Sequence, residues 1–337
     1  MNPAFVQGDF TGNDIAMPTN LFTGKVLFVC SAARKGCCTE AISEQARGLR
    51  KKGVGVTFFY VKERGFKGYA KGVFRLRRFL KQNQFDVVHA HYGLSAMMAS
   101  FAGARPLVVS LMGSDVYGPL WLLWLVKFFS VFFWPSVIVK SEQMMNRLGV
   151  EHAKVIPNGV DLNLFREISR EEARIKMGWS HRKIVLWPAN PAREVKNVTL
   201  AMESAKLLAG QQVELKVIHG EPTSMMPWFY NAADVVLVTS KWEGSPNVVK
   251  EALACNVPVV STPVGDVAVW LNETEGCEVV PADAKLIADA VSRVLRWSRR
   301  INGRKVIQEL DIERISSRLM NEYLAVSLAT FKVTHER

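Results

Sequence analysis

At 337 residues the chain is long enough for two domains. An apolar content of 49% and a charged content of 22% are globular values and argue against a disordered or fibrous chain. The formal net charge of +12 points to nucleic acid, an anionic membrane or phosphorylated substrates, while five cysteines, odd in number and without metal spacing, fit a reducing cytosol better than a disulfide framework.

Residues 1–24 read as a loose, turn-rich arm with neither the basic nor the apolar region of a signal peptide. KVLFVC (25–30) reads as the first strand. The loop SAARKGCC follows, then a helix opened by Thr39 and stopped by Gly53, and an alternating strand over 54–61. In doubly wound sheets the loop after the first strand is where ligands sit. From residue 47 to residue 81 the bases are opposed only by Glu63. Within that run Val73, Leu76, Phe79 and Leu80 fall at helical spacing with bases on the other face. This is a membrane-surface pattern, or else a solvated helix packed on the sheet. Nucleic acid is disfavoured, because the aromatics are not interleaved as stacking platforms.

The next strands end in His89 and His91, and in Gly113-Ser114-Asp115, at the strand ends where open α/β sheets build sites. No third ligand accompanies the histidines, so no metal is expected, and His89 fits a supporting or core role. Residues 120–134, LWLLWLVKFFSVFFW, are apolar all round between Pro119 and Pro135. A helix of that length spans ~22 Å, too short to cross a bilayer, and Lys127 sits in its middle. A core helix is expected, with interfacial insertion as the alternative. Ser141 caps a further helix, and KVIPNGVD (154–161) is strand then turn.

In the second half, Arg193 and Lys196 lie between a strand at 183–187 and a helix at 197–208, where two cations beside a helix N-terminus suit a diphosphate. The most informative stretch is TSKWEGSPNVVKEALACNVPVVSTPVGD (239–266). Strands are expected at 235–238 and 257–261. Between them Ser245 suits an N-cap, Pro246 the first helical position, Asn256 a left-handed stop, and Pro258 forbids continuation. The unpaired N–H groups at the start of this helix, around Gly244 and Ser245, form an anion site. Glu243 and Glu251 flank it with seven residues between them, and Asn247 shares a helix face with Glu251. Carboxylates beside an anion site suit sugar diols, so the pattern fits a nucleotide sugar.

This segment, with its Glu-Gly-x-Pro-Asn, Glu-Ala, Pro-Val-Val and Gly-Asp elements, resembles the Glu-x7-Glu signature of family 4 glycosyltransferases. These are retaining enzymes of the GT-B fold, and the likeness points to the surface-polysaccharide and teichuronic-acid types. It extends over His-x-His, Gly-Ser-Asp and Ile-Pro-Asn-Gly-Val-Asp, from Lys25 to about Tyr323. The chain departs from the family at Met112, where a histidine is usual, at Gly36-Cys37-Cys38, where a Gly-Gly pair is usual, and at Ala189-Asn190, where Gly-Arg is usual.

The resemblance implies an α/β fold of two Rossmann-like domains facing a cleft, an acceptor domain at 25–165 and a donor domain at 166–310, with a C-terminal helix (311–337) crossing back. It implies catalytic roles for Arg193, Lys196 and Glu243, and donor contacts from Gly244, Ser245, Asn247, Val248 and Glu251. Acceptor-side roles fall to Cys37, His91, Ser114 and Asp115. No Asp-x-Asp triplet occurs, so no metal or cofactor is expected beyond the nucleoside-diphosphate sugar donor. The acceptor is expected to be lipid-linked or a glycan, and the location cytoplasmic, peripheral to an anionic membrane through the basic first domain. A non-catalytic donor-binding or scaffolding subunit, or a GT-B epimerase or phosphorylase, remains as the alternative.

Overall fold

The computed structural model describes residues 22–32, 38–62 and 65–335. The first domain runs β1 (Lys25–Ser31), α1 (Glu40–Lys51), β2 (Gly55–Val61), α2 (Gly65–Gln82), β3 (Val87–His91), α3 (Gly93–Ala102), β4 (Leu107–Ser110), α4 (Ser114–Tyr117), α5 (Leu120–Phe132), β5 (Ser136–Val139), α6 (Glu142–Leu148) and β6 (Lys154–Val155). Its six strands form one parallel sheet in the order β2-β1-β3-β4-β5-β6.

Crossovers between parallel strands are right-handed. The step from β1 to β2 runs one way across the sheet and the later steps run the other, so α1 covers one face while α2, α3 and α5 cover the opposite one. The side chains follow this division. Val26, Phe28 and Cys30 pack towards Ile42 and Leu49 of α1. Leu27 and Val29, pointing the other way, join Leu76 of α2, Ala99 of α3 and Val126 of α5. Each fully buried branched side chain contributes ~1.5–3 kcal/mol of transfer free energy, which is why the strands are near-continuous apolar runs.

The second domain runs α7 (Arg170–Met177), β7 (Lys183–Trp187), α8 (Val198–Lys206), β8 (Val213–Val217), α9 (Met226–Ala232), β9 (Val235–Val238), α10 (Asn247–Ala254), β10 (Val259–Ser261), α11 (Val267–Leu271), β11 (Glu278–Val279), α12 (Ala284–Trp297) and α13 (Gly303–Val306). Its five strands are ordered β11-β10-β9-β7-β8, again all parallel. In both sheets the chain order reverses between the first and third strands. That switch point opens a crevice beyond the strand C-ends, and ligands of open α/β sheets bind there.

The last helix, α14 (Ile312–His335), returns to the first domain, as expected of the fold. Tyr323 of α14 is fully buried and its hydroxyl lies 2.7 Å from His89 Nδ1. Lys154 donates to Glu322 at 2.7 Å.

Ser141 caps α6, accepting from Met144 N at 3.3 Å, as its position predicts. The expectation of a core helix at 120–134 is corrected. A helix forms, but only Val126, Phe129 and Ser130 of α5 are buried, while Trp121, Trp124, Phe128 and Phe132 are exposed. A helix in the outer layer has one side to set against the sheet, and the remaining apolar surface has no neighbour.

Candidate functional site

The loops that leave the switch-point strands of the second domain carry five of the residues singled out by sequence. In the second domain the loop after β7 holds Arg193 and Lys196, and the loop after β9 holds Glu243, Gly244 and Ser245. A buried hydroxyl ties the two loops together. Thr239 Oγ1 lies 2.9 Å from the Lys196 carbonyl oxygen and 3.0 Å from that of Asn197, and it accepts from Trp187 Nε1 at 2.9 Å. Lys196 Nζ is thereby held 2.5 Å from Glu243 Oε1, which also accepts from Ser240 Oγ at 2.7 Å. Arg193 is exposed on the turn begun by Asn190, whose carbonyl accepts from Arg193 N at 3.0 Å.

Asn247 opens α10, one residue later than expected, and Pro246 precedes it without a side-chain cap. The reading of Ser245 as N-cap is corrected. Its hydroxyl donates to Asp266 Oδ2 at 2.6 Å and receives a hydrogen bond from Lys250 Nζ. Two tertiary partners outcompete the local amide. Lys250 is 1% exposed, donates also to the Asn158 carbonyl at 2.8 Å, and lies 3.8 Å from Asp266 Oδ2. Burial lowers its pKa, and Asp266 and then Glu251 oppose that shift.

Glu251 accepts from the Tyr230 hydroxyl at 2.6 Å. Burial raises its pKa to about 7 against the lowering effect of that hydrogen bond, with Glu44 and Glu40 of α1 adding repulsion from across the cleft. Asn247 Oδ1 accepts from Asn158 Nδ2 of the inter-domain segment at 3.1 Å, and Val248 is half-buried beside it.

The facing wall comes from the first domain. Gly113, at φ +122°, brings the turn before α4 so close that a Cβ there would stand 3.4 Å from Gly244 N. A Cβ on Gly244 would meet Met144 Sδ at 3.0 Å and the Met112 carbonyl at 3.1 Å. Tyr117 stacks on Trp242 with ring centroids 5.6 Å apart, and Gly265 N donates to Gln143 Oε1 at 2.9 Å.

Of the acceptor-side residues, Ser114 is exposed beside this wall. Asp115 is buried and spends both carboxylate oxygens on backbone, accepting from Gly93 N at 2.8 Å and Met112 N at 2.7 Å. It holds the turn in shape, and burial raises its pKa. His91 is buried deeper, its Nε2 2.7 Å from Gln45 Oε1 and its Nδ1 without a partner among the described residues. Burial pushes both His89 and His91 well below the ordinary imidazole pKa, so both are neutral. Cys37 lies outside the described residues. No cluster of metal-ligating side chains occurs among the described residues.

Sequence reasoning missed Lys250, Asp266, Tyr230 and Lys140. Lys140, at the end of β5, is 1% exposed and makes only long contacts, 3.4 Å to Ser110 Oγ and 3.4 Å to the Ile156 carbonyl. Burial first, then Lys250, lowers its pKa to about 7. One signal was available: Lys250 shares a helical face with Leu253 and Ala254, a burying position for whatever residue occupies it.

Residues 31–164 match the family model described as Glycosyltransferase Family 4, and residues 202–296 match the one described as Glycosyl transferases group 1. The chain is 27% identical over 238 residues to the putative teichuronic acid biosynthesis glycosyltransferase TuaC of Bacillus subtilis, covering 62% of this chain and 61% of that one. It is 25% identical over 290 residues to the D-inositol 3-phosphate glycosyltransferase of Saccharomonospora viridis, covering 67% and 65%. The matches thus span under two thirds of these relatives' lengths. Among solved structures, sucrose-phosphate synthase from Thermosynechococcus elongatus superposes with a TM-score of 0.75 at 19% identity, over 90% of this chain and 99% of that one. HepE from Anabaena, in complex with UDP and glucose, superposes with a TM-score of 0.70 at 17% identity, over 90% and 100%. The chain thus has the GT-B architecture and matches one glycosyltransferase family model on each domain, the first described as Glycosyltransferase Family 4.

Proposed function

We propose that this protein transfers a sugar from a nucleoside-diphosphate sugar to a lipid-linked or glycan acceptor, with retention of anomeric configuration, in cell-surface polysaccharide assembly. The observation that carries this reading is the Lys196–Glu243 pair at 2.5 Å, set on two switch-point loops beside the start of α10. In the transfer, the bond from the sugar's anomeric carbon to the diphosphate oxygen breaks, and an acceptor hydroxyl oxygen bonds to that carbon. The hydroxyl proton is released as the diphosphate gains negative charge.

Lys196 and Arg193 would offset that charge together with the N–H groups of Gly244 and Ser245, an electrostatic contribution of several kcal/mol in a closed cleft. Glu243 would hold sugar hydroxyls and Glu251 the ribose diol. The chemistry as proposed requires neither metal nor organic cofactor. The bound UDP of the Anabaena structure supports a nucleotide-sugar donor, and the basic α2 favours an acceptor presented at an anionic membrane face.

A thermal-shift screen against UDP, GDP, ADP and their sugar conjugates tests this. A ligand that binds only the folded state raises its apparent stability. A selective shift with one nucleotide, lost in Lys196→Ala and in Glu251→Ala, is expected. Well-folded protein that responds to none of them would refute the reading.

A further inference from the structure

We infer that the outer layer of the first domain formed by α2, α3 and α5 is a lipid-interface surface that inserts the aromatic side chains of α5 into an anionic bilayer. The right-handed crossovers set α2, α3 and α5 side by side on one face of the sheet, and none of the three contains an aspartate or glutamate. Trp121, Trp124, Phe128 and Phe132 fall on one stripe of α5, all exposed, Trp124 at 69% and Phe132 at 68%. Phe101 of α3 and Phe74 of α2 continue the apolar surface onto the neighbouring helices, both exposed. Exposed Lys71, Arg77, Arg78 and Lys81 border it on α2.

Aromatics with a basic border and no carboxylate match the interface of an anionic membrane, where rings sit at headgroup depth and cations meet lipid phosphates. The charge pattern selects lipid over a second copy of this chain, because pairing two such faces would bring like-charged rows together. Spanning is excluded for α5, whose 13 residues reach only ~20 Å, and no helix among the described residues is long and apolar enough to cross. The surface also lies beside the cleft. Leu120 begins α5 three residues after Tyr117, which stacks on Trp242 of the donor-side loop. Seating α5 in the interface therefore places the cleft mouth at headgroup level. This use of the surface rests on the proposed lipid-side acceptor, whereas the surface itself does not.

The test is sedimentation of the full chain with vesicles of phosphatidylcholine containing about a quarter phosphatidylglycerol, without donor or acceptor, so that it stands or falls apart from the catalytic reading. The parent should sediment with these vesicles and far less with phosphatidylcholine alone. The Trp121→Ser/Trp124→Ser/Phe128→Ser/Phe132→Ser variant should lose binding about tenfold or more while keeping its thermal midpoint. Should that variant fail to fold, the parent decides the matter. Brominated lipid should quench its tryptophan emission, and Trp121→Phe/Trp124→Phe should keep vesicle binding while losing most of the quenching. Three results would overturn the inference: parent that stays in the supernatant, parent unquenched by brominated lipid, or a serine variant that binds vesicles as before but loses a dimer or a protein partner.

Discussion

Tyr230 is fully buried, and its phenol donates to Glu251 Oε2 at 2.6 Å, opposing the burial that raises the pKa of this carboxylate. Because burial lifts Glu251 to about 7 from its ordinary 4.5, the folded protein holds a proton there that the unfolded chain lacks between those values. This contribution to stability is complete below about 4.5 and is lost as pH rises through about 7. Glu251→Gln should flatten that part of the stability profile relative to the parent. Tyr230→Phe removes the bond that favours the carboxylate and should move the midpoint of nucleotide-sugar affinity upward in pH. Calorimetric titration from acid to mildly basic pH reads both, and an unmoved midpoint in Tyr230→Phe would separate the tyrosine from the site.

Lys140 should act in the opposite sense. Its pKa is lowered to about 7 from 10.5, so between those values the unfolded chain binds the extra proton and stability rises with pH. Lys140→Met removes this slope and, by replacing a poorly paired buried cation, should stabilise the protein at neutral pH by ~1–4 kcal/mol. Denaturation midpoints of parent and variant, compared at neutral and alkaline pH, check it.

Lys196→Ala should lower kcat/KM by ~10²–10³, the loss typical of one charge-stabilising donor in a closed site. Lys196→Arg should restore part of it. Product formation with the donor found by thermal shift is the readout, and full activity in Lys196→Ala would remove the lysine from the mechanism.

Gly265 sits at φ +58°, and a Cβ there would stand 2.7 Å from the Gly244 carbonyl oxygen. Gly265→Ala should therefore cost ~1–2 kcal/mol from backbone conformation alone, and displace the Glu243–Gly244 loop as well. Urea denaturation measures the first effect. A reduced nucleotide-induced thermal shift, beyond what lost stability explains, measures the second.

The sequence made the alternation of strands and helices legible, because buried parallel strands are short apolar runs bounded by turn residues. It also marked Glu243 and Glu251 as carboxylates flanking one helix start and Lys196 as a cation before another, and the structure sets Lys196 against Glu243. What escaped depended on tertiary partners. Ser245 has the local chemistry of a cap, but Asp266 and Lys250, distant or unremarkable in the chain, claim its hydroxyl. Burial of Lys140 and Lys250 runs against the ordinary habit of lysine and becomes visible only where the two domains meet. For α5, an apolar residue at nearly every position erases the periodicity that would tell which side is covered. The loop carrying Cys37 lies outside the described residues.

The return of α14 governs the order in which this molecule can be completed. His89 meets its partner Tyr323 across 234 residues of chain, and the α1 face of the first sheet is closed by Ile315 and Leu319. A ribosome making this protein will release the whole of the second domain before the first acquires its last buried layer. During that interval Ile42 and Leu49 lack part of their apolar cover, so the early domain is the one that requires protection from aggregation during synthesis.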